Sequence, residues 1–284
     1  MKSTRYGLEA ALVAAGFALL SVLPCRTASA LGGAIARLFG PRLPVSRVAR
    51  RNLRRALPDL DEAGRATTVR AMWDNLGRTV AEYPFLSAID TRAADGPVVI
   101  DGLQHLEAAR AAGTALVFVS AHYGNWEILP LAAGQLGLPL HLVYRQANNP
   151  LIERLIQRRR AAVRGAYHPK GAAAARELIR AVRAGEAIAL LADQKMNDGV
   201  AVPFFGRPAM TAPAVAELAL RYGLPVIPAR VDREPQGRFR VTIEAPLAGH
   251  DTVIGLLGAI NARFEAWIRA RPGHWLWLHR RWPD

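Results

Sequence analysis

The residues best suited to chemistry lie in the run Ser120-Ala-His-Tyr-Gly-Asn-Trp-Glu127, where Glu127 follows His122 by five positions. Neutral imidazole near pH 7 is a natural general base for an alcohol, and a carboxylate can fix its tautomer and steady the imidazolium that forms. The spacing alone is a weak signal. With 7 histidines and 23 acids in 284 residues, about 0.6 chance matches are expected. His279 with Asp284 makes a second one. Context separates the two. A β-branched run precedes His122, Asn125 is a good helix N-cap, and Gly124 permits a sharp turn between them. Side chains five apart on one continuous helix lie about 140° around the axis and do not meet. A histidine in the turn before the helix can meet a glutamate in its first turn, beside amide donors suited to an oxyanion. The competing reading is a packed histidine and an unrelated exposed glutamate. His279 is set aside as a coincidence.

Alternating strand-like and helix-like segments surround this turn. Short apolar runs at Pro97–Ile100, Ala115–Ser120, Leu140–Tyr144, Ala187–Leu191, Pro225–Ala229 and Phe239–Ile243 read as strands. Between them, Leu103–Ala112, Trp126–Gln135, Asn149–Arg164, Ala172–Ala184 and Ala212–Tyr222 read as helices, three of them closed by Gly113, Gly185 and Gly223. That alternation indicates an α/β sheet with helices on its faces. Upstream, Ser46–Leu57 and Glu62–Leu86 read as helices, the second capped by Asp61. Thr252–Arg271 is a last helix before the aromatic tail HWLWLHRRWPD.

Several chemistries lose their simplest support. No Walker loop, G-x-G-x-x-G, H-E-x-x-H or G-x-S-x-G elbow occurs. The single cysteine, Cys25, excludes a disulfide framework and a thiolate zinc site, and its apolar setting makes it no credible nucleophile. We therefore expect neither metal nor bound organic cofactor.

The charge points to a polyanionic partner. Lys+Arg number 37 against 23 acids, for +14, and only Lys2, Lys170 and Lys195 are lysines. Ten of these cations and two acids fall in residues 1–60, beside the apolar run Ala10–Leu23. Apolar residues next to clustered arginines read as a membrane-surface segment rather than a nucleic-acid arm. The run is shorter than the ~20 residues of a spanning helix. A cleaved secretory signal ending at Ala28-Ser29-Ala30 is the rival. The glycine-bearing apolar stretch that follows, and arginines that the positive-inside bias would keep cytoplasmic, favour an uncleaved anchor over 1–40, ahead of a domain over 41–284.

HYGNWE resembles the signature block of the bacterial lipid A late acyltransferases, relatives of the glycerolipid acyltransferases with their His-x4-acid motif. The resemblance continues through Arg50-Arg51-Asn52-Leu53, Val143-Tyr144-Arg145, Lys170-Gly171, Ala192-Asp193-Gln194, Phe204-Phe205-Gly206-Arg207-Pro208 with Thr211, and Trp275–Arg281. It implies an α/β fold with a central mixed sheet flanked by helices and a helical N-terminal anchor. The implied enzyme works at the cytoplasmic face of the inner membrane, moving a fatty acyl chain from acyl carrier protein to a hydroxyl of a lipid A precursor. His122 would be the base and Glu127 its partner; Arg145, Asp193, Gln194, Phe205, Gly206 and Arg207 would bind substrate. Arg145 and Asp193 each follow a strand: Arg145 binds an acceptor phosphate or the carrier protein's phosphopantetheine, or makes a surface salt bridge, and Asp193 pairs with or orients Arg145, or makes a structural ion pair. Phe205 walls an acyl groove or joins the core. The arginines of Glu153–Arg164 form a membrane face, a carrier-protein face or merely a solvated one. Trp275 and Trp277 alternate as in a strand, at the lipid headgroups or in the core. With no serine or cysteine placed to carry the acyl group, the acceptor hydroxyl attacks the thioester directly. Another lipid acceptor, an exported non-catalytic lipid binder and, last, a nucleic-acid binder remain as alternatives.

Overall fold

The computed structural model describes residues 2–282. Four helices come first: α1 (Lys2–Ser21), α2 (Cys25–Phe39), α3 (Ser46–Ala56) and α4 (Glu62–Glu82). The strands are β1 (Val98–Asp101), β2 (Val117–Ser120), β3 (Leu140–Tyr144), β4 (Ala166–Pro169), β5 (Ala187–Leu191), β6 (Val200–Phe204), β7 (Arg207–Thr211), β8 (Val226–Glu234) and β9 (Arg238–Ile243). Among them lie α5 (Leu103–Ala111), α6 (Ile128–Gln135), α7 (Pro150–Arg160), α8 (Ala172–Arg183) and α9 (Ala214–Tyr222), with α10 (Val253–Ala270) last. Seven strands form one mixed sheet in the order β1-β9-β8-β2-β5-β3-β4; β6 and β7 form a separate hairpin. The run from β8 to β4 is parallel, and β9 is antiparallel to β8.

Central strand β2 shows why the sheet is double-faced. Val117 and Val119 join one apolar layer and Phe118 the other, so every residue of β2 is buried. Such strands carry no polar alternation and read as continuous apolar runs. The first layer holds α3, α4, α9, α10 and the tail tryptophans; the second holds residues of α5 and α6.

Several elements depart from the sequence reading. Asp61 accepts the Gly64 amide and caps α4 as expected. However, α4 ends at Glu82, where Pro84 removes a donor and 83–88 tighten into a 3-10 turn. Strand β4 and the β6–β7 hairpin were not anticipated. Trp275 and Trp277 lie in no strand and are wholly buried, so they pack in the core rather than at lipid headgroups.

The N-terminal helices dock on the sheet domain. Gly32 of α2 and Gly77 of α4 face one another so closely that a Cβ on either would strike the other's backbone. In α1, Phe17 is buried and stacks on Tyr83, while Asn149 donates to the Tyr6 carbonyl and to Glu9. Among the described residues no helix is long and apolar enough to cross a membrane.

Candidate active site

Strand register assembles the centre. Ser120 pairs with Leu191 across the parallel strands β2 and β5, so His122 and Asp193 leave the same sheet edge side by side. This is the carboxyl edge, where parallel sheets build their sites. Asp193 is fully buried and accepts from the His122 ring Nδ1 (2.8 Å), the His122 backbone N–H (2.9 Å) and Trp275 Nε1 (2.7 Å). Burial alone would raise this carboxyl. His122, through its ring and amide, and His279 outweigh burial and hold the acid well below the usual carboxylate range. An ionised carboxylate only accepts, so in the neutral imidazole the proton sits on Nδ1 and the Nε2 lone pair faces the Gln194 amide. Trp126 meets the imidazole edge-on at 5.2 Å.

The acid hydrogen-bonded to His122 is therefore Asp193 and not, as expected, Glu127. Glu127 is buried, but its carboxylate takes a two-pronged bond from Arg160 (2.9 and 2.5 Å) and another from Tyr83 (2.7 Å). Arg160 lies 4.7 Å from the ring centre of Tyr167 and 5.5 Å from that of Tyr144. The chain turns at left-handed Gly124, and α6 begins at Ile128, two residues later than expected, so Glu127 lies just before the helix rather than in its first turn. Asn125 spends its carbonyl oxygen on the Glu127 amide and its N–H2 on Glu82.

His279, set aside in the sequence, belongs to the centre. Gln194 Nε2 lies 3.1 Å from His122 Nε2 and 2.9 Å from His279 Nε2. Burial, then the neighbouring His122, push His279 down to about 4, so it is neutral at pH 7. Its chance partner Asp284 lies outside the described residues. The segment 274–282 straps the His122 turn: Leu276 N–H donates to the His122 carbonyl and Gly124 N–H to that of His274. Asn52 of α3 holds the strap through the Trp277 and His279 carbonyls, and buried Arg281 bonds Met210 and Thr211. Beneath the turn, Asn75 and Thr79 of α4 donate to the Gly124 carbonyl, and Arg233 joins Asn75 to buried Glu82.

The other expected site residues lie apart. Arg145 is exposed beyond β3 on the same sheet edge, and Asp193 takes its bonds elsewhere, so the two form no pair. Phe205 and Gly206 are the two positive-φ residues turning the β6–β7 hairpin. The Phe205 ring is buried against Phe204, Trp277 and Trp282, in the core rather than along a groove. Arg207 is exposed and donates to the Arg55 carbonyl. Of the α7 arginines, Arg160 is no surface residue, whereas Arg154 and Arg158 are exposed. Burial pushes the Cys25 thiol up to about 11, which leaves it protonated at neutral pH.

The family described as bacterial lipid A biosynthesis acyltransferase matches residues 1–284. The chain belongs to that family. It is an acyltransferase, and its relatives bear this out. It is 29% identical over 244 residues to a phosphatidylinositol mannoside acyltransferase of Mycobacterium tuberculosis, covering 82% of this chain and 76% of the relative. A lipid A biosynthesis acyltransferase of Haemophilus influenzae is 23% identical over 266 residues, 92% of this chain and 83% of that one. A phosphatidylinositol mannoside acyltransferase of Mycolicibacterium smegmatis is 26% identical over 278 residues, 95% and 90%.

Proposed function

We propose that this acyltransferase moves a fatty acyl chain from a thioester to a hydroxyl of a membrane glycolipid, with His122 as general base and Asp193 as its orienting partner. One observation carries the reading: a buried carboxylate sits on Nδ1 at the carboxyl edge of the sheet, so that in the neutral imidazole Nε2 is the accepting atom. Nε2 takes the hydroxyl proton as the oxygen attacks the thioester carbonyl. The proton then passes to the departing thiolate, and Asp193 steadies the imidazolium between the two steps. Arg145, exposed at the same edge, is suited to an anionic group on donor or acceptor. The names of the relatives, phosphatidylinositol mannoside acyltransferase and lipid A biosynthesis acyltransferase, favour a glycolipid acceptor. A lipid A precursor with acyl carrier protein as donor is the specific reading taken from the family, and exposed Arg154 and Arg158 suit an acidic donor protein.

A seat on the cytoplasmic face of an anionic membrane is part of this proposal. Leu31, Ile35, Leu38 and Phe39 of α2 are 45–59% exposed, beside exposed Arg26, Arg37 and Arg42. An apolar face rimmed by arginine suits a helix lying in the headgroup layer. The deciding experiment offers purified protein carrier-protein and coenzyme A thioesters with each glycolipid, read by mass spectrometry. One added acyl group is expected on the true acceptor. Thioester consumption without acyl transfer to any glycolipid overturns the proposal.

A further inference from the structure

Gln194 has no place yet in the reaction, although its amide occupies the position an acceptor hydroxyl must take. It lies 3.1 Å from His122 Nε2, the lone pair that receives the proton. With Nδ1–H committed to Asp193, His122 Nε2 is an acceptor, so one amide N–H of Gln194 points at it. The other points at His279 Nε2, 2.9 Å away. His279 is itself fixed: Asn52 binds its carbonyl, and the buried Arg281 two residues on anchors the strap. Gln194 follows directly on Asp193 just beyond β5, so its backbone moves with the orienting acid.

We propose that Gln194 is the oxyanion donor of the transfer step, and that His279 positions it. Resting on the reading of His122 as base, the sequence of events is a hand-off. An arriving hydroxyl donates its hydrogen to His122 Nε2 and displaces one Gln194 N–H, while the bond to His279 keeps the amide tethered. The hydroxyl oxygen forms a bond to the thioester carbon, and the carbonyl π electrons move onto the carbonyl oxygen. That oxyanion lies one bond angle from the attacking oxygen, within reach of the freed N–H. Its electron pair then re-forms the carbonyl and the carbon–sulfur bond breaks. The leaving thiolate takes the proton from His122 Nε2, giving ester and thiol. A donor tethered before the charge develops needs little reorganisation at the moment of reaction.

The test is a mutant cycle on purified protein, with a thioester donor and the accepted glycolipid. Gln194→Met keeps shape without a donor; its kcat should fall about 10²–10³-fold, with KM within about threefold, as for loss of an oxyanion donor. Gln194→Glu should fall at least as far, because it sets a carboxylate against the oxyanion. His279→Ala should lower kcat about tenfold, and the double variant should be no slower than Gln194→Met, because His279 acts through Gln194. Melting temperatures near wild type show that each variant is folded. Full kcat in Gln194→Met, a loss confined to KM, or losses that multiply in the double variant each overturn the proposal. His122→Ala separates this from the underlying reading. If that variant is inactive while Gln194→Met is not, only the oxyanion assignment falls; if it keeps full activity, the base assignment falls as well.

Discussion

At the scale of single residues, two acids near His122 have opposite duties. Asp193 touches the imidazole, and Glu127 neutralises a buried arginine. His122→Ala and Asp193→Asn should each lower kcat at least about 100-fold, as expected for loss of a positioned base or of the charge that orients it. Asp193→Asn should also lower the melting temperature, because the buried carboxylate accepts three hydrogen bonds and is held ionised by the fold. Glu127→Gln should instead show its main effect in a urea titration. Stranding Arg160 costs about 3–5 kcal/mol. A stable Glu127→Gln protein with a 100-fold lower kcat would return Glu127 to the chemistry. His279 adds a pH dependence of known sign. Its folded pKa, about 4 against an ordinary 6.5, means that the unfolded chain binds the proton first as pH falls. Stability is then full above pH ~6.5 and is lost progressively down to pH ~4, by up to about 3 kcal/mol. Replacing His279 with Asn should flatten melting temperature across that interval; an unchanged slope would refute the assignment. His122 was legible because a strand, a glycine turn and a histidine are adjacent in sequence. Asp193 was visible as a residue after a strand. Its pairing with His122 was not, because that depends on which strand lies beside β2.

At the scale of elements, local signals served best where burial and local chemistry agree. β3 and β5 match their apolar runs residue for residue. β4 was missed because Tyr167-His168-Pro169 on an edge strand is half exposed and lacks an apolar signature. The β6–β7 hairpin was missed because Phe205 occupies a left-handed turn position where glycine or asparagine is the usual sign. Gly124 shows how tightly the His122 turn is determined. Its φ is +58°, and a Cβ there would collide with the Val231 carbonyl oxygen. Gly124→Ala should therefore cost at least about 2 kcal/mol in urea unfolding and lower acyl transfer in the fraction that remains folded. A variant as stable and active as wild type would mean that the turn has another route.

At the scale of the whole molecule, the arginine excess has two fates. Some of it is structural, as in the buried pairs of Arg160 with Glu127 and Arg233 with Glu82. Much of the rest stays at the surface, including Arg37 and Arg42 beside the apolar face of α2. Replacing Leu31, Ile35 and Leu38 together by Asp should reduce cosedimentation with anionic vesicles at least about tenfold while changing the melting temperature far less, because each residue is already 45–55% exposed. Unchanged vesicle binding would remove α2 from the membrane contact. The strap of residues 274–282 has a consequence in time. His122 leaves the ribosome about 150 residues before the strap, a lag of roughly 8–30 s at ordinary rates of synthesis. During that lag Asp193 lacks the Trp275 N–H, Gly124 lacks its bond to His274, and Gln194 has no second histidine to hold it. A nascent chain already carrying both His122 and Asp193 is therefore still without the finished arrangement around them. On the proposed mechanism, such a chain would be held idle, even if it met a loaded donor and a lipid surface, until Arg281 had itself left the ribosome.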